Sequence, residues 1–258
     1  DYETWKESNP TKGWRIKYYK GLGTSTTKEA KEYFKNLNII EYYLQDEHAN
    51  NLDLAFNSDK ADDRKTWLGS YDRSVIPDYK QERITFDDFV DQELIHFSNA
   101  DNNRSIPNMM DGLKPSTRKI LFASFKRKLI HEIKVAQLSG YTSEHSAYHH
   151  GEVSLENTIK NMAQDFVGAN NINYLEPIGQ FGSRLQGGKD AAQSRYIFTK
   201  LNSITRKIFN ESDDILCNEQ DDDGMIIEPE FYYPVIPTIL VNGSQGIGTG
   251  YSTKIPMY

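Results

Sequence analysis

Asp111-Gly112-Leu113-Lys114-Pro115-Ser116-Thr117-Arg118-Lys119-Ile120-Leu121-Phe122-Ala123-Ser124-Phe125-Lys126-Arg127-Lys128-Leu129 is the stretch that decides the fold. Pro115 stands where a helix begins, in the first turn, where its missing N–H leaves no bond unmade. Ile120, Leu121, Phe125 and Leu129 then share one face, and the basic residues lie mostly on the other. The pattern predicts an amphipathic helix over 113–130. A second helix is expected from about Ser154, where Leu155, Ile159, Met162 and Phe166 recur at steps of four, three and four. Ser139-Gly140-Tyr141-Thr142 between them reads as a turn. Two helices, one of them basic, joined in this way suggest a helix-turn-helix or winged-helix unit.

On the N-terminal side, Thr85 is placed to cap a helix carrying Phe86, Phe89, Leu94 and Phe97, which leads into Ser105-Ile106-Pro107. Residues 47–83 are polar and charged and read as connecting structure. Residues 1–46 open with a strand-like run, Trp14-Arg15-Ile16-Lys17-Tyr18-Tyr19. The turn Gly21-Leu22-Gly23 follows, then a helix with Thr26 or Thr27 near its N-cap and Ala30, Tyr33, Phe34 and Leu37 along it. On the C-terminal side, the glycine-rich stretch 174–196 ends in Ser194-Arg195-Tyr196-Ile197-Phe198-Thr199. The tail 231–256 looks strand-like, with an Asn242-Gly243 turn.

The chain has 258 residues, 37% hydrophobic and 26% charged, with a formal charge of −7. No apolar run approaches the ~20 residues of a bilayer-spanning helix. The single cysteine, Cys217, excludes a disulfide framework. Charge is segregated. From Lys114 to Lys134 there are seven bases and one acid, whereas from Glu211 to Glu230 there are nine acids and no base. A polyanion responds to that local field rather than to the total. The chain opens on Asp1 and ends on Ile255-Pro256-Met257-Tyr258, and it reads as a piece of a longer polypeptide.

Several familiar motifs fail on inspection. Gly182 to Lys189 resembles a P-loop, but Ser183 stands where its first glycine belongs and Asp190 follows the lysine. Gly246-Ile247-Gly248-Thr249-Gly250 has its third glycine one residue early for a dinucleotide fingerprint. Asp221-Asp222-Asp223-Gly224 lacks the spacing of a calcium loop and reads as an exposed acidic turn. His145, His149 and His150 have no cysteine partner and no His-Glu-x-x-His pattern, so no metal site is expected.

Three groups carry chemistry. A guanidinium beside a phenol favours the phenolate and binds phosphate oxygens, so Arg195-Tyr196 suits attack on a phosphodiester. The same pair also fits an ordinary strand tyrosine beside a surface arginine. His149-His150 can donate to a phosphate oxygen or relay a proton, or be structural. Asp111 to Pro115, with Arg118 and Lys119, places cations on the first turns of a helix, either at a phosphate or on a solvated face.

Taken together, these segments resemble the DNA breakage-reunion core of eukaryotic-type topoisomerase II. The strings that carry the resemblance are Lys17-Tyr18-Tyr19-Lys20-Gly21-Leu22-Gly23-Thr24-Ser25, Arg104-Ser105-Ile106-Pro107, Asp111-Gly112-Leu113-Lys114-Pro115, Tyr148-His149-His150-Gly151-Glu152, Pro177-Ile178-Gly179-Gln180-Phe181-Gly182, Gly187-Gly188-Lys189-Asp190, Arg195-Tyr196-Ile197-Phe198-Thr199, and Asn242 to Gly250. They stand in family order across nearly the whole chain. Two local departures are Ser116-Thr117 before Arg118-Lys119, where the family usually has Gly-Gln, and Gln193-Ser194 before Arg195, where it often has Ser-Pro.

The resemblance implies an α+β chain. It has a winged-helix domain over 97–235, preceded by the end of a TOPRIM α/β domain (1–70) and a connecting segment (71–96), and followed by the first strands of a tower domain (236–258). It implies that Tyr196 is the nucleophile that takes the 5′ phosphate of a cleaved strand, aided by Arg195, His150 and Arg104. Lys20, Arg64, Lys65, Lys114, Arg118, Lys119 and Tyr148 fall where the family contacts DNA. Ile247 matches an apolar wedge that enters between base pairs. Implied partners are double-stranded DNA and a second copy of the chain, with no membrane. Implied cofactors are Mg²⁺, held by carboxylates that the family carries upstream of Asp1, and ATP, bound by a separate region. A nuclear location follows from the resemblance alone. The competing readings are a winged-helix DNA-binding module without chemistry and a structural scaffold.

Overall fold

The computed structural model describes residues 2–9, 13, 14, 17, 19, 23–35, 37, 39–45, 50–222 and 224–258. Lys20, most of the 14–23 strand-and-turn expectation and Asp223 lie outside the described residues. The chain divides into two compact units. One comprises Asp1–Tyr43 with Asp78–Ile84, and the other Leu44–Pro77 with Thr85–Tyr258.

The smaller unit holds α1 (Tyr2–Ser8), α2 (Thr27–Lys35) and β1 (Glu41–Tyr43), with β1 paired to β2 (Arg83–Thr85). A capping box starts α2: the Thr26 hydroxyl accepts from the Glu29 amide, and the Glu29 carboxylate accepts from the Thr26 amide. No residue of α2 is buried, and Phe34 is exposed.

In the larger unit, α3 (Asn50–Phe56), α4 (Ala61–Gly69), α5 (Phe86–Phe89) and α6 (Ile95–Ser105) gather around Trp67, Val90 and Ile95. This corrects the reading of 47–83 as connecting structure. Its one buried anchor, Trp67, donates its indole N–H to Asp91 at 3.0 Å and organises two helices whose exposed faces are charged. Thr85 does cap α5, accepting from the Asp88 amide. The helix does not then run straight through. A π turn at Val90–Leu94 separates α5 from α6 and leaves Phe97 exposed.

The main core is built by α7 (Pro115–Lys126), β3 (Ile133–Lys134), α8 (Val135–His145), α9 (Glu152–Ala163) and β4 (Phe198–Thr199). Pro115 opens α7 as expected, and Ile120 and Leu121 are fully buried. The expected turn at Ser139–Thr142 is instead the middle of α8. Val135, Leu138, Ser139 and Thr142 are buried at helical spacing, which outweighs the roughly 1 kcal/mol that exposed Gly140 costs inside a helix. The connection to α9 therefore falls at 146–151.

Beyond β4 come α10 (Thr205–Ile208), the hairpin of β5 (Gln220–Asp222) with β6 (Met225–Ile227), and α11 (Thr238–Val241). The hairpin of β7 (Ser244–Ile247) with β8 (Ser252–Ile255) follows. Residues 231–241 do not form the strand that their composition suggests. Pro234 and Pro237 remove amide donors, and the chain bends into the short α11. All four ribbons among the described residues are two-stranded.

Candidate active site

The segment that carries Tyr196 is held from both sides. The Ile197 carbonyl accepts from the Val135 amide at 3.0 Å and the Ser194 carbonyl from the Ala136 amide at 3.2 Å, so the first turn of α8 grips it. On its other flank, Phe198 and Ile178 exchange backbone bonds at 2.9 and 3.1 Å. Ser194 and Ile197 are buried, and between them a turn closed by Tyr196 N–H to the Gln193 carbonyl at 2.9 Å turns two side chains outward. Tyr196 is 66% exposed, and the Arg195 guanidinium lies over its ring at 4.9 Å. A phenol fixed by buried neighbours yet open to solvent is poised for a large external substrate.

Gly179 keeps this packing possible. Its φ is +119°, and a Cβ there would stand 2.9 Å from Ile197 Cγ2. Gly179→Ala combines left-handed strain with overpacking, and is expected to speed hydrogen exchange at the Phe198 and Ile178 amides by about tenfold or more. Unchanged protection of both amides would show that the neighbouring strand is not held through this contact.

Arg104, Lys119, Tyr148 and His150 meet around a cavity of about 510 Å³, which Asp222 also lines. They arrive from four separate elements. Arg104 ends α6, half exposed and paired to Asp101 at 2.9 Å. His150 follows α8, with its ring edge-to-face on Tyr148 at 5.4 Å. His149 reaches Asp222 at 3.1 Å, tying this loop to the β5–β6 hairpin. Tyr196 and Arg195 do not line the cavity. Thus α8 joins the two parts: its first turn bonds the tyrosine segment and its last turn leads into 146–150.

Two expected surface cations are corrected. Arg118 is buried, with Nε donating to Asp111 Oδ2 at 2.7 Å and Nη2 to Oδ1 at 2.9 Å. Its burial leaves no route to an external phosphate. Lys119 is mostly buried, bonded to the Ser146 carbonyl and, at 2.8 Å, to Glu228, whose own carboxyl burial pushes upward. It braces the end of α8 and reaches the cavity only at its wall. The helix-face reading failed because the partners, Asp111 and Glu228, are invisible to periodicity.

The other expected contact residues are variously engaged. Arg64 donates to the carbonyls of Leu54 and Asn57 at 2.9 and 2.7 Å, closing the end of α3. Lys65 is exposed, pairs with Asp62 at 2.6 Å, and lies 6.0 Å from the Tyr251 ring. Lys114 is half buried, donates to the Gln245 carbonyl at 2.7 Å, and has its pKa lowered by burial. Ile247 is 73% exposed at the end of β7. The glycine loop is self-bonded, with the Ser183 amide on Asp190 at 2.8 Å.

Among the described residues, no group of three or more His, Cys, Asp or Glu side chains is arranged to hold a metal ion. No helix among them is long and apolar enough to cross a membrane.

Residues 104–258 match the family model for DNA gyrase/topoisomerase IV. Residues 1–102 match the C-terminal associated domain of TOPRIM. The chain is 56% identical over its full length to DNA topoisomerase 2 of Plasmodium falciparum, covering 19% of that protein. It is 54% identical to the mitochondrial DNA topoisomerase 2 of Dictyostelium discoideum, again over its full length and 20% of that protein. A crystal structure of the Plasmodium falciparum topoisomerase II DNA-binding, cleavage and re-ligation domain superposes with a TM-score of 0.81 at 56% identity. That match covers all of this chain and 36% of that one. The chain thus spans about a fifth of the length of the curated relatives it matches.

Proposed function

The chain belongs to the DNA gyrase/topoisomerase IV family, in its eukaryotic topoisomerase 2 form, and on that premise we propose that it carries the tyrosine of a type II DNA gate. The supporting observation is Tyr196: exposed, fixed by buried flanking residues, and stacked with an arginine. Its phenolic oxygen bonds to a backbone phosphorus while the bond to the deoxyribose 3′ oxygen breaks. The phenolic proton is lost, the 3′ oxygen leaves as a hydroxyl, and the phosphotyrosine keeps the bond energy for religation. Arg195, beside the ring, and Arg104 and His150, at the cavity, stabilise charge on the phosphate oxygens. Tyr148, Lys114, Lys65 and Arg64 flank the path of the duplex, and Lys20 is assigned there by the family pattern. In this reading residues 97–235 form the winged-helix domain, 1–70 end the TOPRIM domain, and 236–258 begin the tower.

A duplex needs two cuts, hence two copies of Tyr196 and a homodimer. Among the described residues no ligand set fits Mg²⁺, so the roles above belong to this chain's side chains alone. Carboxylates elsewhere in the polypeptide would hold the metal, and another region would bind ATP. We assign the protein to the nucleus on family grounds, although the 54%-identical mitochondrial relative shows that similarity at this level spans more than one compartment.

Denaturing the full-length protein on end-labelled duplex should leave protein covalently attached to 5′ ends. Recovery of only free DNA, with salt-sensitive binding intact, would reduce the chain to a winged-helix binder without chemistry.

A further inference from the structure

Strand alternation on β7 sends Gly246 and Gly248 to one side and Gln245 and Ile247 to the other. The glycine side lies against the last turn of α6. A Cβ on Gly246 would run into the Ser105 carbonyl, and one on Gly248 into the Asn102 side-chain oxygen. The backbones touch there, so the hairpin sits on the helix with no side chain between them. Asn102 also fixes it, its amide nitrogen donating to the Thr249 carbonyl at 3.0 Å, 147 residues away in the chain. Lys114 holds the opposite end at Gln245. The turn itself is closed by the Gly248 amide on the Tyr251 carbonyl at 2.9 Å. Ile247, outside all of these contacts, is left projecting.

We infer that Asn102 is a positioning residue for the Ile247 wedge: by clamping the Gly248–Thr249 backbone to α6 it sets the angle at which Ile247 meets a base step. The inference rests on the DNA-gate reading. An isoleucine that unstacks a base step does work against DNA stiffness, and the reaction force passes back through its hairpin. A two-stranded ribbon alone is soft. The Asn102 bond and the glycine contacts transfer that force to α6, the helix that also carries Arg104.

The test uses the full-length protein and a duplex with a fluorophore at each end. Energy transfer reads bending and anisotropy reads affinity. Asn102→Ala is expected to lower the bent fraction about threefold or more while affinity changes less than about threefold, and to add little in an Ile247→Ala background, because residues acting through one element are not additive. A gapped duplex, which bends unaided, should restore the lost bending, which a general folding defect would not allow. Asn102→Asp, of the same size but without the donor, reads the same contact should the alanine variant fold poorly. Full bending in both Asn102 variants, with bending reduced in Ile247→Ala, overturns the clamp and leaves the wedge standing. Unchanged bending in Ile247→Ala overturns the wedge reading and the clamp with it.

Discussion

Tyr196→Phe is expected to remove covalent protein–DNA adducts entirely and to slow strand cleavage by at least about a thousandfold, because the bond-forming atom is gone. Duplex affinity should stay within about twofold, since no phosphate-binding cation is touched. The fold should survive as well. Tyr196 is two-thirds exposed, and its turn is held by backbone bonds from Gln193, Val135 and Ala136 that the substitution leaves in place. Arg195 stacks on the ring rather than on the hydroxyl, so phenylalanine keeps that contact at its 4.9 Å spacing. Loss of adduct with Arg195 still positioned would isolate the nucleophile. Adducts that persist in the phenylalanine protein would assign the chemistry to another residue.

Some of this was legible in the sequence because it was local. Pro115 and the apolar face of α7 define a helix start without tertiary help, and Leu155, Ile159 and Met162 do the same for α9. Thr85 capping α5 is a contact over three residues. The glycine in α8 and the charge on α3 and α4 misled for a shared reason. Propensity and polarity describe exposed faces, whereas the buried face decides whether a helix forms. For α8 that face includes the polar residues Ser139 and Thr142, and for α4 it is a single tryptophan.

The site divides along the same line. Arg195 and Tyr196 are adjacent, so their pairing can be read directly. The cavity joins residue 104, residues 115–119, residues 147–154 and residue 222, a set that no spacing rule connects. Asn102 acts through a backbone carbonyl, which leaves no mark on the residue type at position 249. Arg118 illustrates the converse. Its cationic side chain on a basic helix signalled a phosphate contact, yet its charge is consumed internally.

That internal charge carries the second large effect. Asp111 is fully buried and accepts four hydrogen bonds: two from Arg118, one from the Leu113 amide at 2.9 Å and one from the Tyr232 amide at 3.0 Å. Its own carbonyl takes the Thr238 hydroxyl at 2.8 Å. One carboxylate therefore joins the start of α7 to residues 232 and 238, far along the chain. Asp111→Ala leaves a guanidinium and two amides buried without acceptors, and should destabilise the larger unit by about 3–5 kcal/mol. Substituting Arg118→Met in the same protein removes the stranded charge and should recover part of that loss, although the Leu113 and Tyr232 amides stay unpaired. Thermal unfolding of the wild type, both single variants and the double variant measures the cycle. A single-variant loss below about 1 kcal/mol would mean that water reaches the pair and that its burial is not what holds these segments together.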